Sequence, residues 1–165
     1  MKKTIALVLA LTMALCLCAC GPKTAPGPAQ NANLDMTAFY EATMQKYEFP
    51  GMVLAEGDML EMFYPGLSTL KDVAEFQVYT PMMTGAAAEL TLVKLADGGS
   101  AEAVKAVFDA RVAACTAEGM NYPDTIDAWV NNCRQVTAGS YMMLVVHTDC
   151  DAIAADFNAA AGVAQ

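Results

Sequence analysis

Hydrophobic positions recur at helical spacing near the start of the folded part of the chain. Over residues 35–47, one helical face would carry Met36, Phe39, Tyr40, Thr43 and Tyr47. This spacing predicts an amphipathic helix with Asp35 at its N-cap. A shorter helical turn is predicted over residues 58–63, and Pro65 and Gly66 end it.

Further along, two pairs of segments carry the alternating or continuous apolar pattern of β-strands. The first pair comprises residues 73–80 and 88–95. The second pair comprises residues 129–137 and 140–147, joined by a tight turn at Gly139. Each pair therefore predicts a β-hairpin.

An amphipathic helix follows each strand pair. The first helix begins after Ser100 and ends near Glu118, and its apolar stripe contains Val104, Val107, Phe108, Val112 and Cys115. The second begins at Asp149 and places on one face Ile153, Phe157 and Ala161. The two helices are similar in sequence, either because the two strand-strand-helix units are a degenerate repeat or because both helices pack on one sheet.

These elements predict a single α+β domain over residues 34–165. N-terminal helices precede the two strand-strand-helix units, and four strands form a mainly antiparallel sheet covered by helices on one face. A length of 165 residues is consistent with one domain. A hydrophobic fraction of 56% is too high for a disordered chain.

The chain before this domain has the layout of a secretory signal. A short basic end precedes an apolar run over residues 5–17, which is shorter than the ~20 residues of a membrane span. The next residues resemble the lipobox of bacterial lipoproteins: Leu17-Cys18-Ala19-Cys20. We therefore predict a signal peptide over residues 1–19, a lipidated Cys20, and a flexible Pro- and Gly-rich tether that completes residues 20–33. An ordinary secreted protein cut near Ala19 is the alternative.

The charge balance excludes some classes of partner. The chain has nine Lys and Arg against 18 Asp and Glu, a net charge of −9. Nucleic-acid binding needs a basic face, so we exclude nucleic acid as a partner. Removal of the signal peptide with its two lysines brings the net charge near −11, and anionic headgroups would repel such a surface. The lipid on Cys20 is therefore the predicted contact with the membrane.

The cysteine and histidine patterns indicate no metal, redox or cofactor site. Only Cys115, Cys133 and Cys150 lie beyond Cys20, and they form no Cys-x-x-Cys motif. Their odd number leaves open whether any two form a disulfide. The only histidine, His147, has no nucleophile or ligand pattern around it, so we interpret it as structural. Signatures of phosphate-binding loops, dinucleotide folds, hydrolases and zinc proteases do not occur.

Two further features have both a binding and a structural interpretation. Asp149 and Asp151 lack the spacing of a calcium loop and are better explained as acids that favour a helix N-terminus. Methionines occur in close groups, which either fill gaps in the core, the interpretation we favour, or line an adaptable binding surface. These groups are Met59/Met62, Met82/Met83 and Met142/Met143.

Arg111 is the most unusual residue of the predicted core. It lies three residues after Phe108 and four before Cys115, so it shares or borders the buried stripe of its helix. An unpaired buried guanidinium is too costly to keep. Glu89, an acid inside an apolar strand that this helix should cover, is the expected partner. We favour a structural ion pair, and the alternative is that Arg111 binds an anion.

Several short motifs follow one another in a distinctive order. After the lipobox and tether, they are Ala88-Glu-Leu-x-Leu-Val-Lys94, the helical Arg111, Tyr122-Pro123 and Gly139-Ser140-Tyr141. This order resembles a family of small bacterial lipoproteins, mostly from Gram-positive gut anaerobes, that carry a domain of unknown function. The family usually has Gly-Asn-Tyr at the last motif. The resemblance, over roughly residues 35–160, implies a surface lipoprotein and brings no catalytic residues.

Taken together, these features predict a lipid-anchored protein on the extracytoplasmic face of the cell membrane. We expect a non-catalytic domain that needs no cofactor and binds an unknown protein or small molecule. Two alternatives are an accessory enzyme or small-anion-binding domain that uses Arg111, and a structural assembly partner of a membrane complex. Strongly shifted acid pKa values in a pocket would favour an enzyme, and a large exposed apolar patch would favour assembly.

Overall fold

The computed structural model describes residues 33–83 and 85–162. The predicted signal peptide, the lipidated Cys20 and the tether up to residue 32 lie outside the described residues. Five helices, five strands and a short 3₁₀ helix (Leu67–Thr69) make up the described part. In chain order, the helices and strands are α1 (Met36–Lys46), β1 (Met52–Leu54), α2 (Gly57–Phe63), β2 (Val73–Pro81), β3 (Glu89–Leu95), α3 (Ala101–Thr116), α4 (Pro123–Asn131), β4 (Cys133–Ala138), β5 (Tyr141–Val146) and α5 (Cys150–Ala160).

The two predicted N-terminal helices are confirmed. Asp35 is the N-cap of α1, and its carboxylate accepts a hydrogen bond of 3.0 Å from the backbone N–H of Ala38. Helix α2 matches the predicted turn at residues 58–63 to within one residue. Within the described ranges, no helix combines the length and the apolar character that a membrane crossing needs.

All five strands belong to one antiparallel sheet with the order β1-β2-β3-β5-β4. Both predicted hairpins are present, and β4 and β5 are joined by a two-residue turn in which Gly139 has a φ of 61°. The prediction of four strands is wrong, because β1 adds a fifth strand along β2. A strand of three residues is too short to show an alternating pattern in the sequence.

Helices cover both faces of the sheet, so the prediction that they cover one face is wrong. One core contains Leu90 and Met143 of the sheet together with α1 and α5. The opposite core contains Val93 and Leu144 together with α2, α3 and α4. Successive residues of β3 and β5 point into different cores, which is why both strands are apolar almost throughout. The two strand-strand-helix units therefore differ, because α3 and α5 pack on opposite faces.

Residues 129–131 belong to helix α4 and not to a strand, which corrects the predicted strand over residues 129–137. Pro123 occupies the first turn of α4, where its fixed φ favours helix formation and its missing N–H is not needed. Trp129 packs from this helix into the core and is 3% exposed. Aromatic and β-branched residues such as Trp129 and Val130 locally favour a strand. Burial of Trp129 in the core stabilises the helix instead and outweighs this local preference.

Candidate functional site

The structure brings Arg111 and Glu89 together between α3 and the sheet. Glu89 begins the central strand β3 and is fully buried. Arg111 Nε lies 3.2 and 3.1 Å from the two carboxylate oxygens, and its Nη2 lies 2.5 Å from Oε2. The side chain of Arg111 keeps 14% exposure. The carboxylate therefore has charged donors on both oxygens, as a buried acid requires.

Tyr64 completes this network, and the sequence analysis missed it. Its hydroxyl donates a very short hydrogen bond to Glu89 Oε1, and it accepts one of 2.9 Å from the Thr91 hydroxyl. Both Tyr64 and Thr91 are fully buried. Burial, and then the charge of Glu89, raises the pKa of Tyr64 well above its ordinary value. Tyr64 therefore stays protonated and remains a donor to the carboxylate.

Three aromatic rings surround the guanidinium of Arg111. Its central carbon lies 4.5 Å from the ring centroid of Phe63, 5.2 Å from that of Trp129 and 5.7 Å from that of Tyr64. Such contacts attract a cation to the ring faces. Burial acts to lower the pKa of Arg111, but the hydrogen bonds and charge of Glu89 outweigh it and raise the pKa. The guanidinium of Arg111 therefore stays charged throughout the physiological pH range.

A cleft of about 230 Å³ opens beside the ion pair, and we name it the Arg111 cleft. Three segments form its walls with α3: helix α2, the loop at residues 82–88, and residues 117–131. Its lining includes Phe63, Met83, Ala86, Arg111, Asn121 and Trp129. Small-molecule pockets usually measure ~300–1,000 Å³, so this cleft lies below that range and has room for one large side chain.

The same three segments carry most of the exposed large hydrophobic side chains of the described residues. Eight large hydrophobic side chains are exposed within the described residues, and all but Leu54 lie on these segments. We name these seven the methionine-rich rim: Met59, Met62, Met82, Met83, Met120, Tyr122 and Val130. Met142 and Met143 are buried in the sheet instead. The favoured interpretation, core filling, therefore holds for Met142/Met143 and is wrong for Met59/Met62 and Met82/Met83, which are exposed.

A second hollow, of about 470 Å³, lies along α4. Asn121 lines both this hollow and the Arg111 cleft, so the two are neighbours on the surface. The second hollow is also lined by Glu118, Ile126, Asp127 and Val130. This part of the surface thus contains both acidic and apolar side chains.

His147 lies at the end of β5 and does not line the Arg111 cleft. It is buried, and its Nδ1 accepts a hydrogen bond of 3.0 Å from the backbone N–H of Asp149. Its Nε2 lies 3.1 Å from the carbonyl oxygen of Glu48, and its ring stacks on Phe49 at 4.3 Å between centroids. Both ring nitrogens therefore hold backbone groups in place, as expected of a structural histidine.

The acidic residues near His147 lie at the start of α5, as the sequence predicts. Asp149 occupies the N-cap position without a capping hydrogen bond from its side chain. Asp151, in the first turn, pairs with Arg134 at 2.6 Å. Across the described residues, no three His, Cys, Asp or Glu side chains are grouped to hold a metal ion.

The three cysteines of the described residues are free thiols in the structure, and only Cys115 lines the Arg111 cleft. Burial raises the pKa of Cys115 to about 11. Burial also raises the pKa of Cys133 to about 12. A thiol with so high a pKa is protonated at neutral pH and is a poor nucleophile.

Comparison with known proteins adds a family but no activity. A family model described as Domain of unknown function (DUF4358) matches residues 45–147. This range contains the whole sheet, the ion pair and every residue that lines the Arg111 cleft. No curated protein and no solved structure matches the chain. Because the family model matches more than half of the chain, the protein belongs to the DUF4358 family.

Proposed function

We propose that this protein is a lipid-anchored domain on the extracytoplasmic face of the cell membrane, and that it binds a partner protein at the Arg111 cleft without catalysing a reaction. The lipobox that ends at Cys20 supports the anchor. The observation that carries the binding role is the concentration of seven of the eight exposed large hydrophobic side chains on the segments that line the cleft.

Grouping is what makes these side chains informative. Single exposed hydrophobic residues are normal on protein surfaces, whereas grouped ones mark interaction sites. Met62, Met82, Met83 and Met120 are each at least 67% exposed. Methionine is flexible and polarizable, so a surface rich in it adapts to the partner's side chains. The rim therefore has the properties of a docking surface.

The cleft supplies the pocket that a docking surface needs for an anchor. Interfaces commonly insert one large side chain of the partner into a desolvated pocket, surrounded by contacts of lower energy. Phe63 and Trp129 offer aromatic walls for such a side chain. Arg111 Nη1 makes no hydrogen bond with the described residues, so it can donate one to a carbonyl group of the partner.

The geometry supports the other roles less well. An anion that approached Arg111 would also meet the carboxylate of Glu89, which already neutralises the guanidinium. Cys115, the thiol that lines the cleft, is a poor nucleophile because burial raises its pKa to about 11. Assembly into a membrane complex would use the same surface and is one form of the proposed binding role.

Site-specific photo-crosslinking in intact cells tests the proposal with the full lipidated chain. A photoreactive phenylalanine analogue replaces either Met83, in the cleft wall, or Ala159, an exposed residue of α5 that serves as control. We expect a discrete adduct from position 83 and none from position 159. Ala86→Trp fills the cleft and should abolish the adduct. Equal adducts from both positions, or none from position 83, would contradict the proposal.

A further inference from the structure

Acidic side chains accompany the methionine-rich rim, and no basic side chain does. Helix α2, the loop at residues 82–88 and residues 117–131 together contain no Lys or Arg. Their five acidic residues are Asp58, Glu61, Glu118, Asp124 and Asp127. Arg111 lies in the cleft wall, but Glu89 neutralises its charge. The docking surface therefore carries a net negative charge beside its apolar groups.

Elsewhere in the described part of the chain, most of the basic side chains are paired with acids. Six Lys and Arg occur in the described residues, and five of them form salt bridges with Asp or Glu. None of these bridges uses an acid of the three segments that line the cleft. The negative charge at the rim is thus left without a salt-bridge partner within the described part of the chain.

We infer that the partner of the Arg111 cleft is a basic amphipathic segment of another protein, with apolar side chains on one face and Lys or Arg beside them. This inference rests on the binding role proposed above. Methionines accept varied apolar side chains, and the acids at their edges attract cations and select against acidic partners.

The second hollow shows where the two kinds of contact meet. Ile126 and Val130 offer apolar surface there, and Glu118 and Asp127 lie beside them. Because Asn121 borders both this hollow and the cleft, a segment that anchors one side chain in the cleft can extend across these acids. Its apolar face would then contact the rim while its basic groups meet the carboxylates.

A membrane surface does not offer the same chemistry. Anionic headgroups repel a negatively charged surface. Zwitterionic headgroups hold a phosphate beside each ammonium group, so they offer the carboxylates no net positive charge. A basic protein segment satisfies both the apolar and the acidic groups.

Trp129 provides a built-in reporter, because it is the only tryptophan of the chain and it lines the cleft. The lipidated protein in vesicles of neutral phosphatidylcholine is titrated with a peptide of about 20 residues, made of Leu and Lys in amphipathic helical order. Two matched peptides carry Gln or Glu in place of Lys. We expect a saturable change in Trp129 fluorescence with the Lys peptide, about 10-fold weaker binding of the Gln peptide, and no binding of the Glu peptide.

Two double variants with equal loss of charge give the control. Glu118→Gln with Asp127→Asn removes both acids of the second hollow, whereas Glu41→Gln with Glu48→Gln removes two exposed acids on the side of α1. We expect the first pair to weaken binding of the Lys peptide about 3- to 10-fold and the second pair less than about twofold. Added salt should reduce this difference.

The outcomes separate the partner's chemistry from the binding role. Equal affinities for the Lys and Gln peptides, or equal weakening by the two double variants, would overturn a basic partner and leave the docking site standing. A fluorescence change on adding vesicles of anionic phosphatidylglycerol without peptide would assign the surface to the membrane and overturn the inference. Failure of the binding role itself shows separately, as absence of the adduct at position 83 in cells.

Discussion

Replacing Arg111 with methionine should destabilise the protein strongly, because it leaves a buried carboxylate without its charged partner. Glu89 is fully buried, and Arg111 donates three of its hydrogen bonds. In Arg111→Met, the neutral hydroxyl of Tyr64 would be the remaining side-chain donor to Glu89. Leaving one partner of a buried ion pair uncompensated costs about 3–5 kcal/mol of unfolding free energy. Methionine fills much of the vacated volume, so the loss reports the missing charge.

The reverse change should cost less. In Glu89→Gln, the side-chain carbonyl still accepts a hydrogen bond, and the 14% exposure of Arg111 lets water reach the guanidinium. We expect a loss of about 1.5–3 kcal/mol, the range for a hydrogen bond to a charged group. The double variant removes both charges, so its loss should fall short of the sum of the single losses by at least about 1 kcal/mol.

Urea unfolding at pH 7, followed by the fluorescence of Trp129, measures all four corners of this double-mutant cycle. Lys105→Met serves as the matched control on the same helix, since the pair of Lys105 with Asp109 is exposed. That control should cost less than about 0.5 kcal/mol. Additive single losses, or a loss in Arg111→Met no larger than in Lys105→Met, would refute the account of the buried pair.

Three further outcomes are expected. Cys20→Ser should release the protein from the membrane fraction or leave its leader uncleaved, and a variant that is processed and fractionates like the wild type would contradict lipid anchoring. The free energy of unfolding should fall as pH rises from about 9 towards 12. Thiols of the unfolded chain lose their protons at pH ~8.5. In the folded protein, burial raises the pKa of Cys115 to about 11 and that of Cys133 to about 12, so alkaline pH favours the unfolded chain. Urea unfolding at pH 7.5 and 10 measures this loss of unfolding free energy. The loss should be smaller in Cys133→Ala, and an equal loss in that variant would count against the explanation. Asp35→Ala should cost about 1 kcal/mol through loss of the N-cap hydrogen bond, and an unchanged melting temperature would show that the cap contributes nothing.

Local patterns in the sequence are sufficient to predict much of the fold. The cap of α1, the two hairpins and the buried stripe of α3 each depend on residues close together in the chain, so spacing reveals them. The contact of Arg111 with Glu89 is expected because each charged residue lies in an apolar stretch. An unpaired charge in the core is too costly, so the two are expected to pair. The continuous apolar run of β5 is typical of a strand buried on both faces, but the predicted fold has helices on only one face.

Features that depend on distant contacts could not be predicted in this way. Tyr64 meets Glu89 from 25 residues away, and no spacing in the sequence marks that contact. Trp129 and Val130 are residue types that favour a strand, and only the packing of Trp129 from α4 shows that they belong to a helix. Nothing in the residue type distinguishes an exposed methionine from a buried one. Only the fold shows that Met83 is exposed and Met143 is buried.

Methionine methyl groups give the most direct test of the docking surface. The lipidated protein, labelled with ¹³C-methyl methionine in neutral bicelles, is titrated with the Leu and Lys peptide and followed by NMR. We predict that the signals of the exposed methionines shift together with a single Kd: Met59, Met62, Met82, Met83 and Met120. The signals of the buried Met36, Met142 and Met143 should stay in place. Binding that leaves the exposed signals unmoved, or that shifts all methionines alike, would contradict the methionine-rich rim as the binding surface.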